Sequence, residues 1–304
     1  MTIREALVKY HDVEIDMLLT HLLGKSQEFI FLHPEFILSS KHLNILSKLI
    51  KRRKKGEPIA YILGYKDFYG SRFKVNKNVL IPRPETEIIV ETIISSVIPE
   101  ALSASERLSG IKKIVQTGSR LSTALGRDDK VKILDVGAGS GCIIISLAKK
   151  LNSKFKIQNS IPIFYASDIS KSALNIAKFN SVKHKAKIKF FHSDLLKKIP
   201  GKFDIVVANL PYVPKSVYKK NYQNLKWEPK YALIDPKKDF SLFERLFSQL
   251  KTHTNPGSQI FLEIDPLAKP LIQLLAKKYF QNSRTFFYKD LRKITRFIKI
   301  QLHE

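Results

Sequence analysis

Val131-Lys132-Ile133-Leu134-Asp135-Val136-Gly137-Ala138-Gly139-Ser140-Gly141 runs straight into Cys142-Ile143-Ile144-Ile145-Ser146-Leu147-Ala148, and the reading of this stretch decides the fold. A short apolar strand over Val131 to Val136 gives way to glycines at alternate positions, and a helix over Gly141 to Lys150 follows without a linker. Glycine there lets the main chain turn tightly and approach a ligand with no Cβ in the way. The helix N-terminus then presents free N–H groups to a carboxylate or phosphate. The stretch reads as a nucleotide-type cofactor site at the end of a strand. A dinucleotide-binding loop is compatible with the same spacing, and a merely tight strand-to-helix turn is the bland alternative.

Downstream, strand-like and helix-like segments alternate. Ile161 to Ala166 is followed by a helix at Lys171 to Val182, and Ile188 to Phe191 stands as a third strand. Phe203 to Ala208, Gln259 to Ile264, Arg284 to Tyr288 and Phe297 to Leu302 complete the set. Such alternation predicts an α/β fold with a largely parallel sheet covered on both faces. The second strand leads to Asp168, whose carboxylate can accept both hydroxyls of a ribose. The third leads to Asp194 and Leu195, an acceptor for an adenine amino group and a cover for the ring face. Singly, each aspartate reads as a helix N-cap; jointly, at the ends of successive strands, they favour a ligand site.

The fourth strand opens directly into Asn209-Leu210-Pro211-Tyr212. A planar amide or aromatic amine is a poor nucleophile because its nitrogen lone pair is delocalised. The Asn209 side-chain oxygen and the Leu210 main-chain carbonyl can accept its two N–H hydrogens and so aim the nitrogen at an electrophile. Pro211 stiffens the turn and Tyr212 stacks on the planar group. Positioning of this kind supplies up to ~7 to 11 kcal/mol in ideal intramolecular cases. An Asx turn leaving a strand is the alternative for this string alone.

The chain has 304 residues, with 53 Lys+Arg against 27 Asp+Glu and a net charge of +26. Its apolar content excludes a disordered tail and a disulfide miniprotein. The single cysteine, Cys142, excludes an internal disulfide, and the histidines form no ligand-spaced cluster, so no metal is expected. No segment has the apolar length of a signal peptide or a membrane span, and a cytoplasmic protein without membrane contact is expected. The positive charge attracts polyanions such as ribosomes or RNA, or acidic proteins, unless the lysines are simply a solvated surface. Lys51 to Lys55 and the alternating Lys183, Lys185, Lys187 and Lys189 are the places for such contact.

Upstream, Ile15, Leu18, Leu19 and Leu22, then Leu43, Leu46 and Ile50, form helical stripes, so residues 1–63 read as a small helical bundle. Short β-rich runs over Phe68 to Phe73 and Lys74 to Ile81 predict a hairpin linker at 64–82, with a helix through Thr86 to Ser96 beyond it. The third domain is expected over 83–304, with residues 100–130 as a loop or insertion.

The glycine loop and the Asn209 element together resemble the class I S-adenosylmethionine-dependent methyltransferases with an N-P-P-Y element, which modify adenine, cytosine or glutamine amide nitrogens. Gly56-Glu57-Pro58-Ile59-Ala60-Tyr61, Phe68-Tyr69-Gly70 and Ile81-Pro82-Arg83-Pro84-Glu85-Thr86-Glu87 narrow this to the protein N5-glutamine methyltransferases, the PrmC/HemK family. Trp227-Glu228-Pro229, Ala232-Leu233 and Leu262-Glu263-Ile264 match further blocks of it. The resemblance implies a Rossmann-like catalytic domain and an N-terminal domain that recognises the protein substrate. It implies S-adenosyl-L-methionine as cofactor and the glutamine of the Gly-Gly-Gln tip of class 1 peptide chain release factors as acceptor, with a monomer expected.

By motif, Gly137, Ala138, Gly139, Ser140 and Gly141 cradle the methionine part, Asp168 the ribose and Leu195 the adenine, with Asn209 also against the cofactor. Asn209, Leu210, Pro211 and Tyr212 grip the amide, and Arg83, Glu85, Thr86, Glu87 and Asp194 border the pocket. Two departures stand out: Leu210 replaces a proline, and Asp235-Pro236 stands where the family has a glycine pair. A sister activity on a large-subunit ribosomal protein reads almost identically. A nucleic-acid adenine methyltransferase fits the charge but lacks a segment for base recognition. A noncatalytic cofactor-binding protein is disfavoured by the intact Asn209 and Tyr212.

Overall fold

The computed structural model describes residues 1–97, 130–155, 162–290 and 292–303. The loop or insertion expected near 100–130 therefore lies, apart from Lys130, outside the described residues. The N-terminal stripes fold as α1 (Ile3–Lys9), α2 (Ile15–Leu23), α3 (Gln27–Leu32), α4 (Ser40–Lys54) and α5 (Ile59–Leu63). Thr2, Ser26 and Ser39 cap three of them through side-chain oxygens, satisfying main-chain N–H groups that have no partner within the helix. Ile3, Leu18, Leu19, Ile30 and Leu46 form their shared core.

The hairpin differs from expectation. Its strands are β1 (Tyr65–Phe68) and β2 (Ser71–Lys74), paired antiparallel. Tyr69 and Gly70 between them have φ of 47° and 66°, the two positive values that a tight hairpin turn requires. The turn thus falls inside the run read as the first strand, because tyrosine is not a turn residue by composition. Past Lys74 the chain leaves the hairpin, and Val75, Val79 and Ile81 are buried against Ala60, Tyr61 and Ile176.

The main sheet has seven strands in the order β5-β4-β3-β6-β7-β9-β8. In chain order these are β3 (Lys132–Val136), β4 (Ile163–Asp168), β5 (Ile188–His192), β6 (Phe203–Ala208), β7 (Thr254–Glu263), β8 (Arg284–Lys289) and β9 (Thr295–Gln301). The first five strands in that order run parallel, and β9 is antiparallel to both β7 and β8. From β3 the chain proceeds outward through β4 and β5, then returns to the other side at β6. Ligands of open α/β sheets bind at the carboxyl ends beside such a reversal.

Helices cover both faces: α6 (Glu87–Val97), α7 (Cys142–Phe155), α8 (Lys171–Lys183), α9 (Lys215–Lys220), α10 (Tyr222–Leu225), α11 (Lys230–Leu233), α12 (Ser241–His253) and α13 (Lys269–Tyr279). Strand side chains alternate between two cores. Ile133, Ile205 and Val207 pack with α6 and α7, whereas Leu134, Val136 and Val206 pack with α12 and α13. No helix among the described residues is long and apolar enough to cross a membrane.

One buried side chain ties the hairpin to the glycine loop. Asn180 on α8 is fully buried; its Nδ2 donates to the main-chain oxygens of Lys74 (3.0 Å) and Ser140 (2.9 Å), and its Oδ1 accepts from the Lys74 N–H (2.8 Å). Removing it strands main-chain groups away from water. Asn180→Ala is expected to lower unfolding free energy by about 2 to 4 kcal/mol in a urea titration. A loss below about 0.5 kcal/mol would show that these groups find water instead.

Candidate active site

The glycine loop leaves β3 with φ of 78°, 55° and 78° at Gly137, Gly139 and Gly141. At two of these glycines a side chain would also be crowded by packing. A Cβ on Gly137 would meet Leu210 Cδ2 at 3.2 Å, and one on Gly141 would meet Ile145 Cδ1 at 2.9 Å and Ala177 Cβ at 3.2 Å. Gly139 differs, with no atom within 4 Å of the place its Cβ would take. The loop is pressed against the protein at both ends and bare at its middle, which is the shape of a cradle. Ala138 and Ser140 are buried, and the N–H groups of Gly137 and Ala138 donate to the Ser167 carbonyl at 2.8 and 2.9 Å. Cys142 is buried too, and burial pushes its thiol up to about 12, so it acts as a packing residue.

Asp135, the last acid of β3 before this loop, was quoted in the motif but given no role by sequence reasoning. It is 1% exposed, and neither carboxylate oxygen has a hydrogen-bond partner in the protein. Burial pushes its pKa up to about 7, against a smaller opposing effect of the Ile144 main chain in the first turn of α7. An orphaned buried carboxylate beneath a glycine cradle is a countercharge without its cation. S-adenosyl-L-methionine carries an ammonium and a sulfonium, so the residues present fit that group.

Asp168 ends β4 and is also buried. Its Oδ2 accepts from the Gly139 N–H at 2.9 Å and its Oδ1 from the Ser170 N–H at 2.8 Å. Burial raises its pKa and these two N–H groups oppose the rise. The carboxylate thus pins the bare middle of the glycine loop while each oxygen keeps a further lone pair. Leu195 is buried with φ of 54°, a left-handed conformation that costs a leucine about 1–2 kcal/mol and clusters at ligand sites. Its neighbour Asp194 is otherwise engaged. Arg245 Nη2 donates to its two oxygens at 2.6 and 2.5 Å and Lys197 Nζ to Oδ2 at 2.8 Å. Asp194 thus anchors α12 through Arg245, while its Oδ1 keeps a further lone pair.

At the end of β6, Asn209 is half-buried and Leu210 is buried over Gly137. Tyr212 OH donates to Glu263 Oε1 at 2.7 Å, and Thr86 Oγ1 donates to Glu263 Oε2 at 2.7 Å. The Asn209 side chain lies close enough to Glu263 to lower its pKa as a donor. Glu263 ends β7 and is buried; burial raises its pKa, opposed by Thr86, Tyr212, Arg296 and Asn209 in that order. Burial and the Glu263 charge push the Tyr212 hydroxyl well above its ordinary value, so it stays a donor. Sequence reasoning quoted Glu263 as a family block without a role. The β6–β7 register was its missing signal, because Ala208 pairs with Leu262 and so puts Asn209 beside Glu263.

The segment Arg83 to Glu87 disperses. Only Thr86 reaches Glu263 directly. Arg83 Nη2 pairs with the buried Glu228 at 2.5 Å, and Glu228 also accepts from the Ile81 N–H at 3.1 Å. Glu85 pairs with Arg292 at 3.1 Å, and Glu87 accepts from the Tyr69 N–H at 3.0 Å. Glu85 and Glu87 therefore hold the segment in place. The departure at Asp235 is resolved as well. It is buried and accepts from Ser241 Oγ and the Leu242 N–H, both at 2.7 Å, which caps α12 where the N-cap residue Phe240 cannot.

Comparison with known proteins places the chain in a family. The PrmC N-terminal domain matches residues 2–64, and the methyltransferase small domain matches residues 111–225. A release factor glutamine methyltransferase of Flavobacterium psychrophilum is 34% identical over 276 residues, covering 89% of this chain and 85% of that one. That of Coxiella burnetii is 32% identical over 253 residues, covering 83% and 78%. A bifunctional methyltransferase of Rickettsia prowazekii is 32% identical over 292 residues, 95% of this chain and 53% of that protein, so the chain spans about half the length of that relative. Among solved structures, the hMettl16 catalytic domain in complex with a MAT2A 3′UTR hairpin is 13% identical with a TM-score of 0.51, covering 88% of this chain and 83% of that one, and shares the fold. By its matches to the full-length relatives, the chain belongs to the PrmC family of release factor glutamine methyltransferases.

Proposed function

We propose that this protein transfers a methyl group from S-adenosyl-L-methionine to the side-chain amide nitrogen, N5, of the glutamine in the Gly-Gly-Gln motif of class 1 peptide chain release factors. The observation that carries the reading is the Asn209 carboxamide, placed beside the glycine cradle at the end of β6 and braced by Glu263. The names of the relatives support a release factor as acceptor.

Gly137 to Gly141 and Asp168 would hold the cofactor, with Leu195 at its base and Asp135 as countercharge. When bound, it supplies an electrophilic methyl group on sulfur. The chain's own work is positioning. The Asn209 Oδ1 and the Leu210 carbonyl accept the two N–H hydrogens of the substrate amide and turn the nitrogen face towards that methyl. Tyr212, tethered through its hydroxyl, offers its ring to the amide plane. With its proton held so firmly, Tyr212 is a wall of the pocket and not a base.

The ribosome or RNA contact expected from the charge belongs to one edge of the sheet. In the first basic run Arg52, Arg53 and Lys54 are paired with Glu57, Glu14 and Asp12. Among the described residues Lys183, Lys185, Lys187 and Lys189 have no acidic partner, and they line the outer strand β5 and its approach. We assign the polyanion contact to that edge.

Asn209→Ala should lower kcat on a release factor at least about 100-fold while the dissociation constant for S-adenosyl-L-methionine changes less than about threefold. A matched collapse of both would make Asn209 a structural residue instead. Asp135 generates a second expectation. Its folded pKa lies above the unfolded value, so the stability it contributes is lost as pH rises from the carboxylate range to about 7. Asp135→Asn should therefore gain about 2 to 4 kcal/mol of stability over the parent between about pH 4 and about pH 8, yet bind the cofactor more weakly. Parallel stability curves for the two proteins would remove the uncompensated charge.

A further inference from the structure

We propose that Glu263 is a positioning residue that sets which way the Asn209 carboxamide faces, by accepting from its Nδ2 and thereby turning its Oδ1 to the substrate. The inference rests on the amide-methylation reading and adds to it the group that makes Asn209 an acceptor. A carboxamide has two ends of nearly equal shape and opposite polarity. Turned one way, Asn209 accepts a substrate N–H; turned the other, it meets that N–H with one of its own, and the pocket repels its substrate. Nothing in the Asn209 backbone decides between the two. A neighbour that only accepts does decide.

Glu263 is such a neighbour. The pairing of Ala208 with Leu262 places it laterally beside Asn209 on the adjoining parallel strand. With Tyr212 and Thr86 donating to its two oxygens it is an acceptor on both, so the end of Asn209 that faces it is the amino end. Its two oxygens are themselves fixed, Oε1 by the Tyr212 hydroxyl at 2.7 Å and Oε2 by Thr86 Oγ1 at 2.7 Å. Thr86 comes from the turn Pro84–Thr86, far from β7 in sequence, so the carboxylate is held from two directions. One buried group therefore orients both the acceptor and the aromatic wall. The same account explains why an acid is buried at the end of β7, where a glutamine of equal size would offer a donor as readily as an acceptor.

The test labels asparagine side chains with nitrogen-15 and follows the Asn209 Nδ2 resonance, assigned by its disappearance in Asn209→Ser. In Glu263→Gln the Nδ2 protons are expected to move upfield by about 0.5 ppm or more as the charged acceptor is lost. On a release factor, kcat should fall about 10- to 100-fold while the cofactor dissociation constant stays within about threefold. Thr86→Val, which frees only Oε2, should lower kcat about 3- to 10-fold and serves also if Glu263→Gln does not fold. An unmoved Asn209 resonance in either variant, or equal losses in kcat and cofactor affinity, would overturn the proposal. A parent protein that leaves the release factor unmodified would refute the acceptor assignment alone, because the amide resonance still decides the role of Glu263.

Discussion

Three buried carboxylates at one end of the sheet set the terms for everything around them. Asp135, Asp168 and Glu263 end or nearly end β3, β4 and β7, and burial raises the pKa of each. An ionised group taken out of water must be compensated by donors or by a cation. Asp168 finds two main-chain N–H groups and in return fixes the glycine loop. Glu263 finds two hydroxyls and a carboxamide, and in return fixes Tyr212 and Asn209. Asp135 finds no side-chain donor, and only the Ile144 main chain opposes the effect of its burial. Asp168 and Glu263 hold the loops at the sheet's carboxyl end in place, and Asp135 is the one on which the proposed cationic cofactor would act.

Most of the architecture was legible because it rests on local signals. Strand-then-glycine at Val131 to Gly141 and the alternating segments after it yield the parallel sheet, and helical stripes yield the N-terminal bundle. The Tyr69-Gly70 turn was not legible. Its left-handed tyrosine is imposed by the pairing of Phe68 with Ser71, and a composition-based reading continues the strand through it.

The site divides along the same line. Gly137 to Gly141, Asp168 and Asn209 to Tyr212 sit on strand ends, so a correct strand order places them together. The surroundings of Asp194 and Glu263 were not legible because partnerships across the fold decide what an acid touches. Arg245 lies on another helix and takes up Asp194, whereas the β6–β7 register brings Glu263 to Asn209. Asn180 carried no motif at all, yet it links hairpin, helix and glycine loop. Buried polar residues of this kind declare themselves only once their partners are known.

The leucine at position 210 shows how packing can replace covalent stiffness. A proline there would restrict the turn through its ring. Leu210 is free in that respect, but its side chain is buried against Gly137 on the neighbouring strand's loop, where no Cβ intervenes. Pro211 still fixes the next residue and biases Leu210 itself towards extended conformations. In the proposed reaction the position would contribute a main-chain carbonyl, which leucine and proline supply alike. What changes is the source of rigidity: the β6 turn now depends on contact with the β3 loop, so the Leu210 carbonyl and the glycine loop are held by one and the same packing contact.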